Sequence, residues 1–340
     1  MRITRFVCWA GLLVGLNAFG SGSNAPVPPI AAWSLVWADE FDQPDGSAPD
    51  PTRWTYEVGG GGWGNQELES YTSRTRNARV QAGDLIIEAY KEAYTGSDGI
   101  QRNYTSARLK TQGLASWTYG RFEARIQIPR GQGMWPAFWT LGDNITSVGW
   151  PACGEIDVME NIGREPSIVH GTEHGPGSAV GFPSQLAGTK TFADDYHIYA
   201  LEWSSGQLRW LVDNKSYGAV SPATLPKSAP WVFNGPEFLL LNLAVGGSWP
   251  GSPDNTTIFP QQMKVDFVRV YSATNSPTPV LRVQPTATGW QARWSGNFPQ
   301  ARLEYSAGLP LHWSAVAVTG ARFGDEFGES LTPGFYRLHW

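Results

Sequence analysis

Short runs in which apolar and polar residues alternate, each cut off by Gly, Pro, Asn or Asp, recur through most of this 340-residue chain. Successive side chains on a β-strand point to opposite faces, so alternation of period two marks a strand with one face buried. In "GRFEARIQIP", Phe122, Ala124, Ile126 and Ile128 share one face, and Arg121, Glu123, Arg125 and Gln127 share the other. "DLIIEAY", "YHIYALEWS", "QLRWLVDN", "EFLLLNLAV" and "KVDFVRVYS" also read as strands. The 39 Gly and 25 Pro supply turns, and residues at helical spacing are scarce. The expectation is an all-β protein: a β-jelly-roll sandwich of two antiparallel sheets with a concave cleft.

Composition and punctuation divide the chain further. Arg2 and Arg5, an apolar stretch from Phe6 to about Phe19 and then small residues have the layout of a secretory signal over 1–20. The apolar run is shorter than the ~20 residues a membrane span requires. The expected location is therefore extracellular or periplasmic, with no membrane attachment after cleavage. Cleavage removes Cys8 and leaves Cys153 alone, so no intramolecular disulfide is expected. A Pro-rich lead-in occupies 21–32, a catalytic domain 33–272 and a linker 273–279 ("ATNSPTP"). Residues 280–340 read as a small accessory β module. It is a spacer or sorting element, or a carbohydrate binder working through Trp290, Trp294 or Trp313.

A net charge of -5 offers no basic field for nucleic acid. Two apparent motifs are discounted. "HGTEH" (170–174) fits an inverted zinc-protease pattern, which needs both histidines on one face of a helix; Gly171, Thr172 and the following "GPG" disfavour helix. "GGGGWG" (59–64) satisfies G-x-G-x-x-G trivially and lacks a strand-turn-helix context.

The chemistry concentrates in "GEIDVMENIG", which holds Glu155, Asp157 and Glu160. On a regular strand Glu155 and Asp157 share a face and Glu160 falls on the other, unless a β-bulge at Val158 and Met159 rotates it back. If Met159 supplies that bulge, its deletion is expected to turn Glu160 toward the core. Three like charges on one face repel, so a solvated face or a function must account for them. Trp135, Trp139 and Trp150 lie just upstream. Aromatic rings beside carboxyl groups are what a sugar-cleaving groove needs: rings to stack on pyranoses and acids at the scissile bond. Retaining glycosidases hold two carboxyl groups ~5 to 5.5 Å apart. Five strand steps separate Glu155 and Glu160 Cα atoms by roughly 13 Å with the bulge, a gap that two inward-leaning side chains narrow. Spacing alone leaves open which glutamate is the nucleophile.

"WPAFWTLG" followed by "GEIDVMENIG" resembles glycoside hydrolase family sixteen, in its laminarinase-like endo-β-1,3-glucanase branch. The likeness extends from about Trp33 to Tyr271 through "LVWADEFD", "WGNQELESYT", "NARVQAGDLIIEAY", "YTSARLKTQG" and "VDFVRVY". It implies a retaining hydrolase of laminarin-type β-1,3-glucan, with Glu155 the nucleophile, Asp157 the assisting acid and Glu160 the acid/base. It further implies sugar contacts at Trp135, Trp139, Asn65, Arg108 and His174, with Trp150 and Trp249 weaker candidates. Arg108 and His174 read equally well as structural hydrogen-bonding residues. One stabilising Ca²⁺ at Glu40, the Gly83 carbonyl and Asp266 is implied too, with no catalytic cofactor, and the protein is expected to be a monomer. Rival readings are a mixed-linkage β-1,3-1,4-glucanase, a galactan hydrolase and a non-catalytic glucan-binding protein.

Overall fold

A computed structural model describes residues 32–274 continuously, and beyond them strands at 282–286, 289–295, 302–306, 314–315, 322–323, 326–331 and 335–339. The leader and Trp313 lie outside the described residues. The chain divides into two compact units, Ser34–Ser272 and a second that takes in the strands after Ala273.

The larger unit is a sandwich. One sheet runs Ser178–Gln185, Ile168–Gly175, Glu155–Glu160, Met134–Gly142, Glu237–Val245, Arg108–Lys110 and Thr55–Glu57, in that spatial order. The other has ten strands, with Gly120–Gln127 and Gln261–Thr274 at its centre. Among the described pairings with a stated register, all are antiparallel except Glu69–Tyr71, which runs parallel to Gln101–Ser106. Among the described residues the α-helical component is the single turn Ile145–Val148.

The alternation works as the pattern predicts. Phe122, Ala124, Ile126 and Ile128 join the core between the sheets, together with Trp54, Trp203, Trp210, Leu239, Leu241 and Leu243. The opposite face of Gly120–Gln127 is less exposed than its polarity suggests. Arg121 and Glu123 are themselves buried, tied to each other at 2.8 Å and, through Arg121, to Glu202 at 2.9 Å. The strand Glu237–Val245 is buried over all nine residues because both of its faces are covered, one by the core and one by a smaller cluster of Trp139, Leu141, Phe238 and Leu240. That second cluster floors the site.

The second unit forms a four-stranded and a three-stranded sheet. Trp290 and Trp294 lie on its strand Gly289–Ser295.

Candidate active site

The strand Glu155–Glu160 does not keep a regular register. Asp157 lies opposite Trp139 and Met159 opposite Phe138, which leaves Val158 as the extra residue on that side. Toward the other neighbour, Asp157 lies opposite Thr172 and Glu160 opposite His170, so Val158 and Met159 together face Gly171. This is a β-bulge, two residues against one. Ile156, Val158 and Met159 all sit at 0% exposure in the core, while Glu155, Asp157 and Glu160 line one cleft on the outer face of the seven-stranded sheet.

The bulge is held from beneath. Trp210, from the opposite sheet, donates its indole N–H to the Asp157 carbonyl at 2.8 Å. Gly171 makes room for that ring: a Cβ there would lie 2.2 Å from Trp210 Cδ1. The glycine that disfavours helix in "HGTEH" is therefore the residue that lets the core brace the acid strand. His170 and His174 stand two steps apart from Thr172 on the strand Ile168–Gly175, and no helix is present there.

One expectation from the sequence is corrected by this register. Removing Met159 leaves Glu160 two residues from Asp157, on the same face and still opposite Ala137, because the deletion closes the bulge. We expect a Met159 deletion to retain measurable hydrolysis and to lose stability by about 2 to 5 kcal/mol through the lost core side chain. Urea denaturation together with a reducing-sugar assay checks both.

The cleft encloses about 560 Å³ and gathers every sugar-contact residue expected from the sequence: Asn65, Arg108, Trp135, Trp139, Trp150 and His174. Each glutamate receives an indole N–H, Trp150 to Glu155 Oε2 at 3.0 Å and Trp135 to Glu160 Oε1 at 2.9 Å. His174 Nε2 stands 3.1 Å from Asp157 Oδ2 and 3.8 Å from Glu155 Oε1. Trp150 is exposed, a ring open to the groove.

Arg108 has a structural and a groove-facing role at once. Its Nε pairs with Glu57 at 2.6 Å, and its guanidinium lies 4.9 Å from the Trp63 ring and 4.7 Å from the Trp139 ring. Trp139 is fixed by a relay: its indole donates to Asn242 at 2.7 Å, Asn242 Nδ2 to the Tyr71 hydroxyl at 3.2 Å, and that hydroxyl to Glu67 at 2.8 Å. Asn65 Nδ2 reaches Glu67 at 3.5 Å. Trp249 lines the groove and packs edge-on against Trp135 at 5.6 Å. The sequence reading did not single out Trp63, Glu67 or Asn242.

Burial dominates the electrostatics. Glu155 is pushed up to about 8, first by desolvation and then by the charge of Asp157. Asp157 is likewise raised to about 8 by burial and by Glu237. Glu160 is raised well above the ordinary range by burial and then by Asp157. Charges this close cannot all be ionised together, so the group holds at least one proton where isolated carboxylates would hold none.

Behind them lies Glu237, 1% exposed and hydrogen-bonded by the Thr140 hydroxyl, raised to about 8 by burial. Between about 4.5, its ordinary value, and 8 the folded state keeps a proton that the unfolded chain releases. This residue therefore lowers stability progressively as pH rises through that window, and has no such effect below it. Glu237→Gln mimics the protonated form. Its stability is expected to match the parent near pH 4 and exceed it at pH 9, on the order of 4 kcal/mol. Thermal unfolding at the two pH values measures this.

None of the residues implied for calcium lines the cleft, and the two carboxylates among them already have partners. Both oxygens of Glu40 accept from Arg269, at 2.7 and 2.8 Å, and Asp266 pairs with Arg125 at 2.7 Å. Two carboxylates neutralised by guanidinium groups do not fit a hard cation that needs six or more oxygens. No reaction step is assigned to such an ion.

Comparison with known proteins agrees with this geometry. The family described as glycosyl hydrolases family 16 matches residues 65–269. A β-glucanase of Rhodothermus marinus is 45% identical over 80% of this chain and 94% of its own length. A glucan endo-1,3-β-glucosidase A1 of Niallia circulans is 37% identical over 72% of this chain, which spans 38% of that longer protein. Among solved structures, the laminarinase catalytic domain of Thermotoga maritima is 46% identical, with a TM-score of 0.67 over 72% of this chain and 99% of that one. A bulged strand bringing three acids onto one face of a tryptophan-lined groove, within a sandwich of this topology and at this identity, places the chain in glycosyl hydrolases family 16.

Proposed function

We propose that this protein is a retaining endo-glycosidase that cleaves laminarin-type β-1,3-glucan. The observation that carries the reading is the bulge, which presents Glu155 and Glu160 to one cleft with an indole N–H on each. The β-1,3 linkage is supported by the relatives, which are a β-glucanase, an endo-1,3-β-glucosidase and a laminarinase.

In the first step the ionised Glu155 carboxylate attacks the anomeric carbon. The C1–O bond breaks as protonated Glu160 delivers its proton to the leaving oxygen. In the second step Glu160, now a carboxylate, takes a proton from water as that water attacks C1, and Glu155 leaves. Two displacements restore the original anomeric configuration. Each glutamate accepts an indole N–H and each is raised by burial, but Glu155 also faces His174 at 3.8 Å while burial and the charge of Asp157 hold Glu160 well above the ordinary range, so Glu160 is the one that keeps the proton. Asp157, between them and beside His174, helps hold their proton affinities apart. Trp139, Trp135 and Trp150 offer stacking faces for pyranose rings. The leader-like 1–20 segment supports export, consistent with a polymeric substrate outside the cell.

NMR of laminarin digestion tests this reading in one experiment. The β-anomer is expected to be released first, from internal bonds. The α-anomer first means inversion and overturns the mechanism. Faster cleavage of lichenan moves the assignment to mixed-linkage glucan, and binding without turnover moves it to a glucan-binding protein.

A further inference from the structure

We propose that Glu155, Asp157 and His174 form a binding site for one divalent cation of the zinc class, and that the bound cation shuts the cleft to sugar. Pairing of the two strands puts Glu155 opposite His174 and Asp157 opposite Thr172, so all three side chains rise from neighbouring positions on one face. Their ligand atoms lie within 4.8 Å of one another. Bonds of ~2.0 to 2.1 Å in a tetrahedron place ligand atoms about 3.4 Å apart. The 3.1 Å and 3.8 Å separations from His174 Nε2 to Asp157 Oδ2 and Glu155 Oε1 bracket that value. Drawing the three ligand atoms, all within 4.8 Å of one another, onto three corners needs side-chain movement on the order of an ångström and no change of backbone.

A second observation points to the same place. Asp157 is 3% exposed, yet its Oδ2 accepts no hydrogen bond, with His174 near it but outside hydrogen-bonding geometry. A buried carboxylate oxygen without a donor is costly, and a cation at this point would satisfy it. It would also relieve the mutual repulsion of the carboxylates. Trp150 donates to Glu155 Oε2, which leaves Oε1 as the oxygen near His174. One imidazole and two carboxylates suit Zn²⁺, whereas Ca²⁺ and Mg²⁺ prefer more ligands, all oxygen. With the cation bound, Glu155 has an oxygen committed to metal and the anomeric carbon cannot approach it.

Binding is independent of the hydrolytic reading, while its inhibitory consequence rests on it; the test separates the two. The EDTA-stripped full chain is titrated with ZnSO₄ by calorimetry and by tryptophan fluorescence, with CaCl₂ and MgCl₂ as comparisons. One equivalent of Zn²⁺ is expected at this site, displaced by laminarin oligosaccharide and absent or weakened at least about tenfold in His174→Gln. His174 is partly exposed, so that variant is expected to fold, which circular dichroism checks. His170→Gln, on the same strand but packed against Trp249, is expected to bind as the parent does. Saturable Zn²⁺ binding that is unchanged in His174→Gln, an absence of binding, or equal binding of Ca²⁺ overturns the proposal. Zinc binding in a chain that proves inactive on laminarin leaves the site standing and removes the catalytic reading; turnover without zinc binding does the reverse.

Discussion

Glu155→Gln is expected to lower kcat on laminarin by about 10⁴-fold or more while leaving oligosaccharide affinity within a few-fold of the parent. The amide keeps the shape and can still accept from Trp150, so the groove is preserved. What is lost, on the proposed mechanism, is the carboxylate oxygen that bonds to the anomeric carbon. Stability gives an independent check. Because burial and Asp157 push Glu155 up to about 8, a neutral residue there relieves repulsion, and the variant is expected to be at least as stable as the parent at pH 8. Isothermal binding, turnover and thermal unfolding on one preparation decide the matter. Turnover at the parental rate would remove Glu155 from the nucleophile role.

Glu160→Ala carries the second large effect, and its chemistry distinguishes the two glutamates. Loss of the proton donor is expected to cost about 10² to 10⁴-fold on laminarin, and less on aryl glycosides whose leaving groups need little protonation. With Glu155 intact, azide can attack the glycosyl-enzyme without base assistance and give a β-glycosyl azide. In Glu155→Ala the same anion occupies the space of the missing carboxylate and attacks once, giving the α-product. Exchange of these two outcomes between the variants would exchange the roles of the residues.

Alternation made the sandwich legible, because a face that must be buried leaves its period in the residues. Glu237–Val245 shows the limit of that signal: a strand covered on both sides reads as an apolar run, and its one polar interior residue, Asn242, is the group that fixes Trp139. That lone Asn was a clue available in the sequence. Trp63 offered none, since it sits in a glycine-rich loop with its backbone at φ 48 and only the folded loop brings it over Arg108. The parallel pairing of Glu69–Tyr71 with Gln101–Ser106 is set by tertiary contacts that local pattern does not encode. The acids are legible as a bulged strand, but the effect of deleting Met159 depends on the register, which the sequence does not show. Facing depends on the parity of the spacing that remains, and a spacing of two restores the shared face.

The bond from Trp210 to the Asp157 carbonyl has a practical corollary. The same ring that fills the middle of the sandwich also holds the backbone carrying the acids, so loosening of that layer displaces the acids with it. Heat inactivation and global melting should then coincide, with catalytic half-life and near-ultraviolet dichroism fading together. Thermostabilising changes that tighten peripheral loops would lengthen working life only insofar as they also slow the opening of that central layer.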